Sequence, residues 1–114
     1  MDQVEKLDRY RALIQQTLEG YVQMDAEPET SEMLAVCDRA SDNYLLLDVG
    51  WDATGRVHYV IAHLQLKEEK VLVEKDGVEY GIAQDLQEAG IPAEDIVTTW
   101  RRSPRVVVAD AVAA

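Results

Sequence analysis

The spacing of the apolar residues changes along the chain, and this change limits the folds open to it. Between Asp2 and Tyr21 apolar residues recur every three or four positions, which places them on one face of a helix. Beyond the acidic stretch 25–31 they form short β-prone runs instead. This order predicts one amphipathic helix followed by strands that pair with their neighbours.

The β-prone runs lie close enough together to form an antiparallel meander. The predicted strands are 33–38, 44–51, 56–66 and 70–74. In the second run every other residue from Leu45 to Trp51 is apolar, so we expect this set to face the core. Trp51 is then expected to anchor the core against a helix.

Helical spacing returns after the fourth run. Asp76-Gly77 predicts a tight turn followed by a short edge segment, since Gly accepts the positive φ that such turns need. The stretch 81–89 is predicted to be a helix that ends at Gly90, and Pro92 is typical of the first turn of another short helix. The remaining chain is predicted to be extended.

Size and composition agree with one domain over residues 1–114. A chain of 114 residues with 47% hydrophobic content can bury a core without metals or crosslinks. We expect an α+β fold, a two-layer sandwich in which an antiparallel meander is covered by the N-terminal helix and the short C-terminal helices. The first residues are acidic and no run of about eighteen apolar residues occurs, so we expect a cytoplasmic protein without a membrane segment.

Few residues suit metal or thiol chemistry. His58 and His63 are five positions apart in one predicted strand, so we expect them on opposite faces and unable to share a metal. Cys37 is the one cysteine, and its apolar surroundings predict that it packs in the core. No metal or cofactor site is predicted.

No pattern typical of catalysis occurs either. The sequence has no Gly-x-Ser-x-Gly elbow, no phosphate-binding glycine loop and no ordered Ser-His-Asp set. Asp76 and Glu79 are the one acid pair considered, but turn chemistry alone explains an Asp before Gly, which favours a structural interpretation. We therefore predict no catalytic residues and no enzyme.

The charge distribution bears on the kind of partner. The 22 acidic and 11 basic residues give a net charge of −11, which repels nucleic-acid phosphates. The stretch 98–108 differs from the rest because it contains no acidic residue. Its candidate partner-binding residues are Trp100, Arg101, Arg102 and Arg105. They suit phosphates or an acidic protein surface, and pairing with the protein's own carboxylates is the alternative.

A set of short motifs occurs in order over most of the chain. They are Tyr10-Arg11, the run from Asp42 to Asp52, Arg56-Val57, His63, Asp76-Gly77 with Glu79, Gly81-Ile82-Ala83, Leu86, Gly90-Ile91-Pro92 and Asp95-Ile96-Val97. In this combination and spacing they resemble the XisI family. The chain departs from the family pattern at 71–73, where a tryptophan is often found, and at 100–104, which is more basic.

The resemblance implies a compact two-layer α+β domain and a role in controlling excision of the fdxN element, a DNA element that interrupts a nitrogen-fixation gene. Cutting and rejoining belong to a separate recombinase. Members of the family typically occur with XisH, a partner that resembles nucleases. The implied role is control through protein contacts, and a XisH-like protein is the expected partner.

Two modes of action are compatible with these features. In the first, the acidic stretch 2–52 occupies a basic groove of the XisH-like partner, so that binding weakens with salt. In the second, the segment from Trp100 to Arg105 makes weak DNA contacts within an excision complex. An enzyme with a carboxylate-lined pocket rests only on the abundance of Asp and Glu. A homodimer through an open sheet edge is a further arrangement compatible with these features.

Overall fold

The computed structural model describes residues 3–25 and 31–99, and within these ranges the chain forms two α-helices, one 3₁₀ turn and five strands. The helices are α1, Gln3–Met24, and α2, Ile82–Ala89. The strands are β1, Ser31–Asp38; β2, Asn43–Asp52; β3, Gly55–Lys67; β4, Lys70–Asp76; and β5, Ile96–Thr98. The 3₁₀ turn is Ala93–Asp95. The predicted order of helix, meander and short helices is confirmed.

All five strands belong to one sheet in the order β1-β2-β3-β4-β5. The first four pair antiparallel with their neighbours, as the short connections require. β5 instead joins β4 in parallel, because α2 and the 3₁₀ turn carry the chain back to the starting end of β4. The predicted meander is thus confirmed for β1 to β4, and the parallel edge strand is a feature that the sequence did not predict.

Both helices pack on one face of the sheet and bury the core there. Ile14 and Leu18 of α1, together with Leu86 of α2, have no exposed surface. They meet buried residues of the three central strands, which are Tyr44, Leu46, Ala62, Leu64, Leu66, Val71 and Val73. Cys37 packs partly buried against this core, as predicted, and burial raises the pKa of its thiol. No helix in the described ranges is long and apolar enough to span a membrane.

The prediction for the inward face of β2 was wrong. The buried residues are Tyr44 and Leu46, so the alternating set from Leu45 to Trp51 lies on the opposite face. Trp51 is 62% exposed, and the Arg56 guanidinium lies 5.6 Å from the centre of its ring. The physical reason is that β2 is apolar on both faces, so alternation alone does not select the buried one.

A β-bulge in β3 reverses the alternation that the sequence suggested. Leu46 pairs with Ala62 and Leu47 with Val60, which leaves Ile61 as the extra residue. Residues paired across antiparallel strands share a face, and His58 pairs with Val49 while His63 pairs with Leu45. The two histidines therefore lie on the same face, contrary to prediction, about 13 Å apart along the strand.

The Asp76-Gly77 segment leads directly into the loop before α2, and the predicted short edge segment between the turn and α2 does not form. Gly77 does not have a positive φ, so the predicted reason for Gly at this turn was wrong. Its N–H donates to the Ile61 carbonyl oxygen at 2.7 Å, and a Cβ on Gly77 would lie 2.8 Å from that oxygen. Close approach to the bulge explains the glycine.

The short helices end as the sequence indicated. Gly90 follows α2 with φ of 122°, and its N–H donates to the Gln87 carbonyl oxygen. Pro92 immediately precedes the 3₁₀ turn, and its carbonyl oxygen accepts from the N–H of Asp95. The predicted helix end and the predicted second short helix are both confirmed.

Candidate interaction surfaces

The four candidate partner-binding residues, Trp100, Arg101, Arg102 and Arg105, lie outside the described residues. The last described residue, Thr99, directly precedes them in the sequence and is bound to β4. Its N–H donates to the Val73 carbonyl oxygen at 3.1 Å, and its Oγ1 donates to Glu74 Oε1 at 2.8 Å. Thr99 is therefore held at the β5 edge of the sheet.

A buried carboxylate, Asp95, joins α1, β4 and the 3₁₀ turn. The Tyr10 hydroxyl donates to Asp95 Oδ2, while Lys70 Nζ lies 3.0 Å from Oδ1 and Lys6 Nζ lies 3.3 Å from Oδ2. The Tyr10 hydrogen bond and the two lysines lower the pKa of Asp95 to about 2. Burial and the same hydrogen bond raise the pKa of Tyr10 to about 12.

A second polar cluster connects α1 with the turn between β1 and β2. Arg11 donates from Nε and Nη2 to both oxygens of Asp42, at 2.9 and 3.0 Å, and from Nη1 to Asp8 at 2.7 Å. The Tyr44 hydroxyl donates to Asp42 Oδ1 at 2.7 Å. Arg11 holds the pKa of Asp42 below its usual value, whereas burial raises that of Tyr44.

The side chains of these two clusters are engaged in hydrogen bonds and ion pairs that hold elements of the fold together, which favours a structural role over a catalytic one. Asp76 likewise accepts the N–H of Val78 at 3.1 Å and of Ile82 at 2.8 Å, which supports the structural interpretation of this residue. The two pockets of the molecule that are described below are lined by neither of the ionic clusters. Among residues 3–25 and 31–99 no three His, Cys, Asp or Glu side chains are arranged to hold a metal.

The face of the sheet opposite the helices carries an apolar patch, here called the open-face patch, which consists of Leu34, Val36, Leu45, Leu47 and Val60. The register places these residues side by side, because Leu34 pairs with Leu47, Val36 with Leu45, and Leu47 with Val60. Leu34 is 36% exposed and Val36 is 43% exposed. No described element covers this face.

Polar groups surround the open-face patch. Asn43 Oδ1 lies 2.9 Å from His63 Nε2 and 2.8 Å from Gln65 Nε2, so these three side chains form a satisfied row at one end. Glu32 and Asp38 are exposed on the same face of β1. β1 is also an edge strand, so one row of its backbone N–H and C=O groups has no partner strand among residues 3–25 and 31–99. An apolar centre with an acidic border is typical of a protein-binding surface.

A second surface, here called the α1 groove, lies on the helix side where α1 ends. It comprises a pocket of about 430 Å³ and an adjoining one of about 300 Å³, which share Tyr21, Met24 and Tyr80. The larger pocket is also lined by Met33, Leu46, Tyr59, Val60, Ile61 and Val78. Met24 and Tyr80 stand at the rim and are 74% and 79% exposed.

Carboxylates dominate the charge of the α1 groove. Asp48 and Glu79 line the larger pocket and Asp85 lines the smaller one. Burial, and then the nearby charge of Glu88, raises the pKa of Asp85. Lys75 is the one basic residue in the lining, and its pairing with His63 places it on the open face.

Sequence reasoning missed both surfaces. The open-face patch was hidden because its β2 residues were assigned to the core. The groove depends on the bulge at Ile61 and on the loop 77–81, and neither has a local sequence signal beyond Gly77 and Gly81. A second apolar set in β2, Tyr44 and Leu46, was the available sign that this strand is apolar on both faces.

Comparison with known proteins identifies relatives of the whole fold. A family model described as XisI protein matches residues 1–109. The crystal structure of a XisI-like protein from Anabaena variabilis is 25% identical, with a TM-score of 0.77 over 87% of this chain and 90% of that one. The structure of the fdxN element excision controlling factor XisI from the same organism is 33% identical, with a TM-score of 0.70 over 88% of this chain and 96% of that one. No curated protein matches the sequence.

Proposed function

Because the chain belongs to the XisI family, we propose that it is a controlling factor for excision of a DNA element and that it acts by binding a protein partner, without catalysis of its own. The open-face patch is the observation that supports this most. Apolar side chains on an uncovered sheet face stay in contact with water unless another protein buries them.

The proposed partner is a XisH-like, nuclease-related protein. A nuclease-related surface that binds DNA carries basic residues, and the acidic border at Glu32 and Asp38 complements such a surface. The net charge of −11 extends this complementarity over the whole molecule. Binding at this border therefore competes with DNA for the partner's basic groups, and this competition is the means of control.

The proposal is tested by co-purifying this protein with the XisH-like chain at low and at high salt. We expect a complex that weakens with rising salt, because salt screens the electrostatic contacts at the acidic border. The apolar contacts of the patch are not screened and should keep part of the affinity. A gel-shift assay of each chain alone and of both together then shows whether this protein lowers the partner's affinity for DNA. Failure to associate at any salt concentration contradicts partner control.

Direct DNA contact through Trp100, Arg101, Arg102 and Arg105 is the second candidate. It is favoured by one feature, namely that these arginines lie within a stretch of chain, 98–108, that contains no acidic residue. So few phosphate contacts give weak and strongly salt-dependent binding. DNA binding by the isolated protein that disappears when the three arginines are replaced by glutamine would establish this mode over partner control.

A further inference from the structure

The α1 groove has apolar walls and a mouth that none of the described residues covers, so it can accept aliphatic side chains. Its floor is formed by Leu46 and Ile61, and Tyr80 stands beside the opening. The open-face patch lies on the other face of the sheet, and the two surfaces share one residue, Val60, which also lines the larger pocket.

The charge of the groove selects for a basic occupant. Asp48, Glu79 and Asp85 border it, and Asp85 is partly desolvated with only an acidic neighbour, Glu88, acting on it. An arginine placed here would offset the partial burial of Asp48 and Asp85 and would attract the exposed Glu79, whereas an acidic or purely apolar segment would bring no positive charge to them.

β5, which precedes the basic segment in the sequence, runs in the direction of the groove. β5 runs parallel to β4, and Thr99 is held beside Val73. Along β4, Gly77 at the groove lies four residues beyond Val73, which is a distance of about 13 Å. The six residues 100–105 can span about 20 Å, so the chain beyond Thr99 is long enough to reach the groove and to place residues 106–108 in it.

We propose that the α1 groove binds the segment Trp100 to Val108 of the same chain. In this arrangement the three arginines of the segment face the groove carboxylates Asp48, Glu79 and Asp85, and the valines 106–108 pack against the apolar floor. The segment then has two competing places to bind, the groove and an external partner or DNA. Displacement from the groove makes its arginines available, which gives the protein a contact that depends on occupancy of the groove. This intramolecular contact stands whether or not the proposed function is correct.

The test uses the full chain with a nitroxide spin label at Ala109→Cys, in a Cys37→Ala background, and measures paramagnetic broadening of backbone amide signals by NMR. We expect the strongest broadening at groove amides such as those of Glu79, Tyr80 and Gly20, and little at Thr54 in the turn between β2 and β3. Replacing Glu79 and Asp85 with Gln and Asn should reduce the groove broadening severalfold. The matched control Glu68→Gln, an exposed acid in the turn between β3 and β4 at the opposite end of β4 from the groove, should leave it unchanged.

Two results would overturn the proposal. One is broadening that is no stronger at the groove than elsewhere, or that ignores the Glu79 and Asp85 substitutions. The other is broadening that arises only between molecules, observed when an isotope-labelled chain without the nitroxide is mixed with an unlabelled, spin-labelled chain. The second result would assign the groove to the segment of another copy. Neither measurement requires the XisH-like partner, so the outcome is separate from that of the proposed function.

Discussion

Asp95 is the residue on which the strongest pH dependence of this protein is expected to rest. Its pKa is lowered to about 2 from the ordinary value of 3.8, first by the hydrogen bond from Tyr10 and then by Lys70 and Lys6. A carboxyl with a lowered folded-state pKa stabilises the fold above its unfolded pKa, and this stabilisation is lost as the pH falls through the folded value.

We therefore predict that the free energy of unfolding falls between about pH 5 and pH 2, with on the order of 2 kcal/mol of the loss due to Asp95. The Asp95→Asn variant should be less stable at neutral pH and should lack this share of the acid dependence. Urea denaturation followed by circular dichroism over this range measures both. An equally steep acid loss in the variant would show that other carboxyls are responsible.

Gly77 is required for a close backbone contact, which gives a second prediction at the residue scale. In Gly77→Ala the new Cβ would meet the Ile61 carbonyl oxygen at 2.8 Å, so the bulge or the loop must shift. We expect a loss of about 1–3 kcal/mol of stability. Gly20→Ala is the matched control, because nothing lies within 4 Å of its added Cβ and alanine favours a helix by about 1 kcal/mol. Thermal unfolding should show opposite shifts for the two variants, and equal shifts would contradict the steric explanation.

The residues that carry the family resemblance proved to be largely structural. Tyr10, Arg11, Asp42, Asp76 and Asp95 each bind another element or cap a turn. The sequence showed these residues as motifs but not as pairs, because the partners are up to 85 positions apart. Long-range pairing of this kind is set by the tertiary fold and has no local pattern to reveal it.

At the scale of elements, α1 is held mainly by its buried stripe. Leu18→Ala removes a side chain with no exposed surface and should cost about 2–5 kcal/mol of stability. Val4→Ala in the same helix removes apolar atoms from a residue that is 67% exposed, and should change stability by less than about 0.5 kcal/mol. Urea midpoints of the two variants measure this difference. Similar losses for both would mean that α1 is not anchored through this face.

The positions of the elements were predictable from the sequence, whereas the face that each strand buries was not. The helix, the four meander strands and the end of α2 at Gly90 follow from local periodicity and turn residues. The buried face of β2 did not follow, since Tyr44 and Leu46 compete with Leu45 and Leu47 for the core. The bulge at Ile61 then moved His58 to the face of His63, an effect of strand pairing that a single strand does not encode.

At the scale of the whole molecule, the two faces of the sheet differ in what they bury and what they expose. The helix side buries the core and leaves the α1 groove at one end, while the other side presents the open-face patch. The acidic charge around both surfaces favours basic partners. Partner binding through the open-face patch is the claim on which the proposed function depends most.

The most direct measurement is the Kd of the XisH-like chain, by titration calorimetry, for the wild-type protein, a Leu34→Thr/Val36→Thr double variant and a Val97→Thr control. Val97 is 40% exposed and pairs with Leu72 at the far edge of the sheet, away from the patch. We predict that the double variant binds at least about tenfold more weakly, because apolar contacts worth over 1.4 kcal/mol are lost, while the control binds like wild type. Wild-type affinity in the double variant, with its fold intact by circular dichroism, would contradict partner binding through the open face.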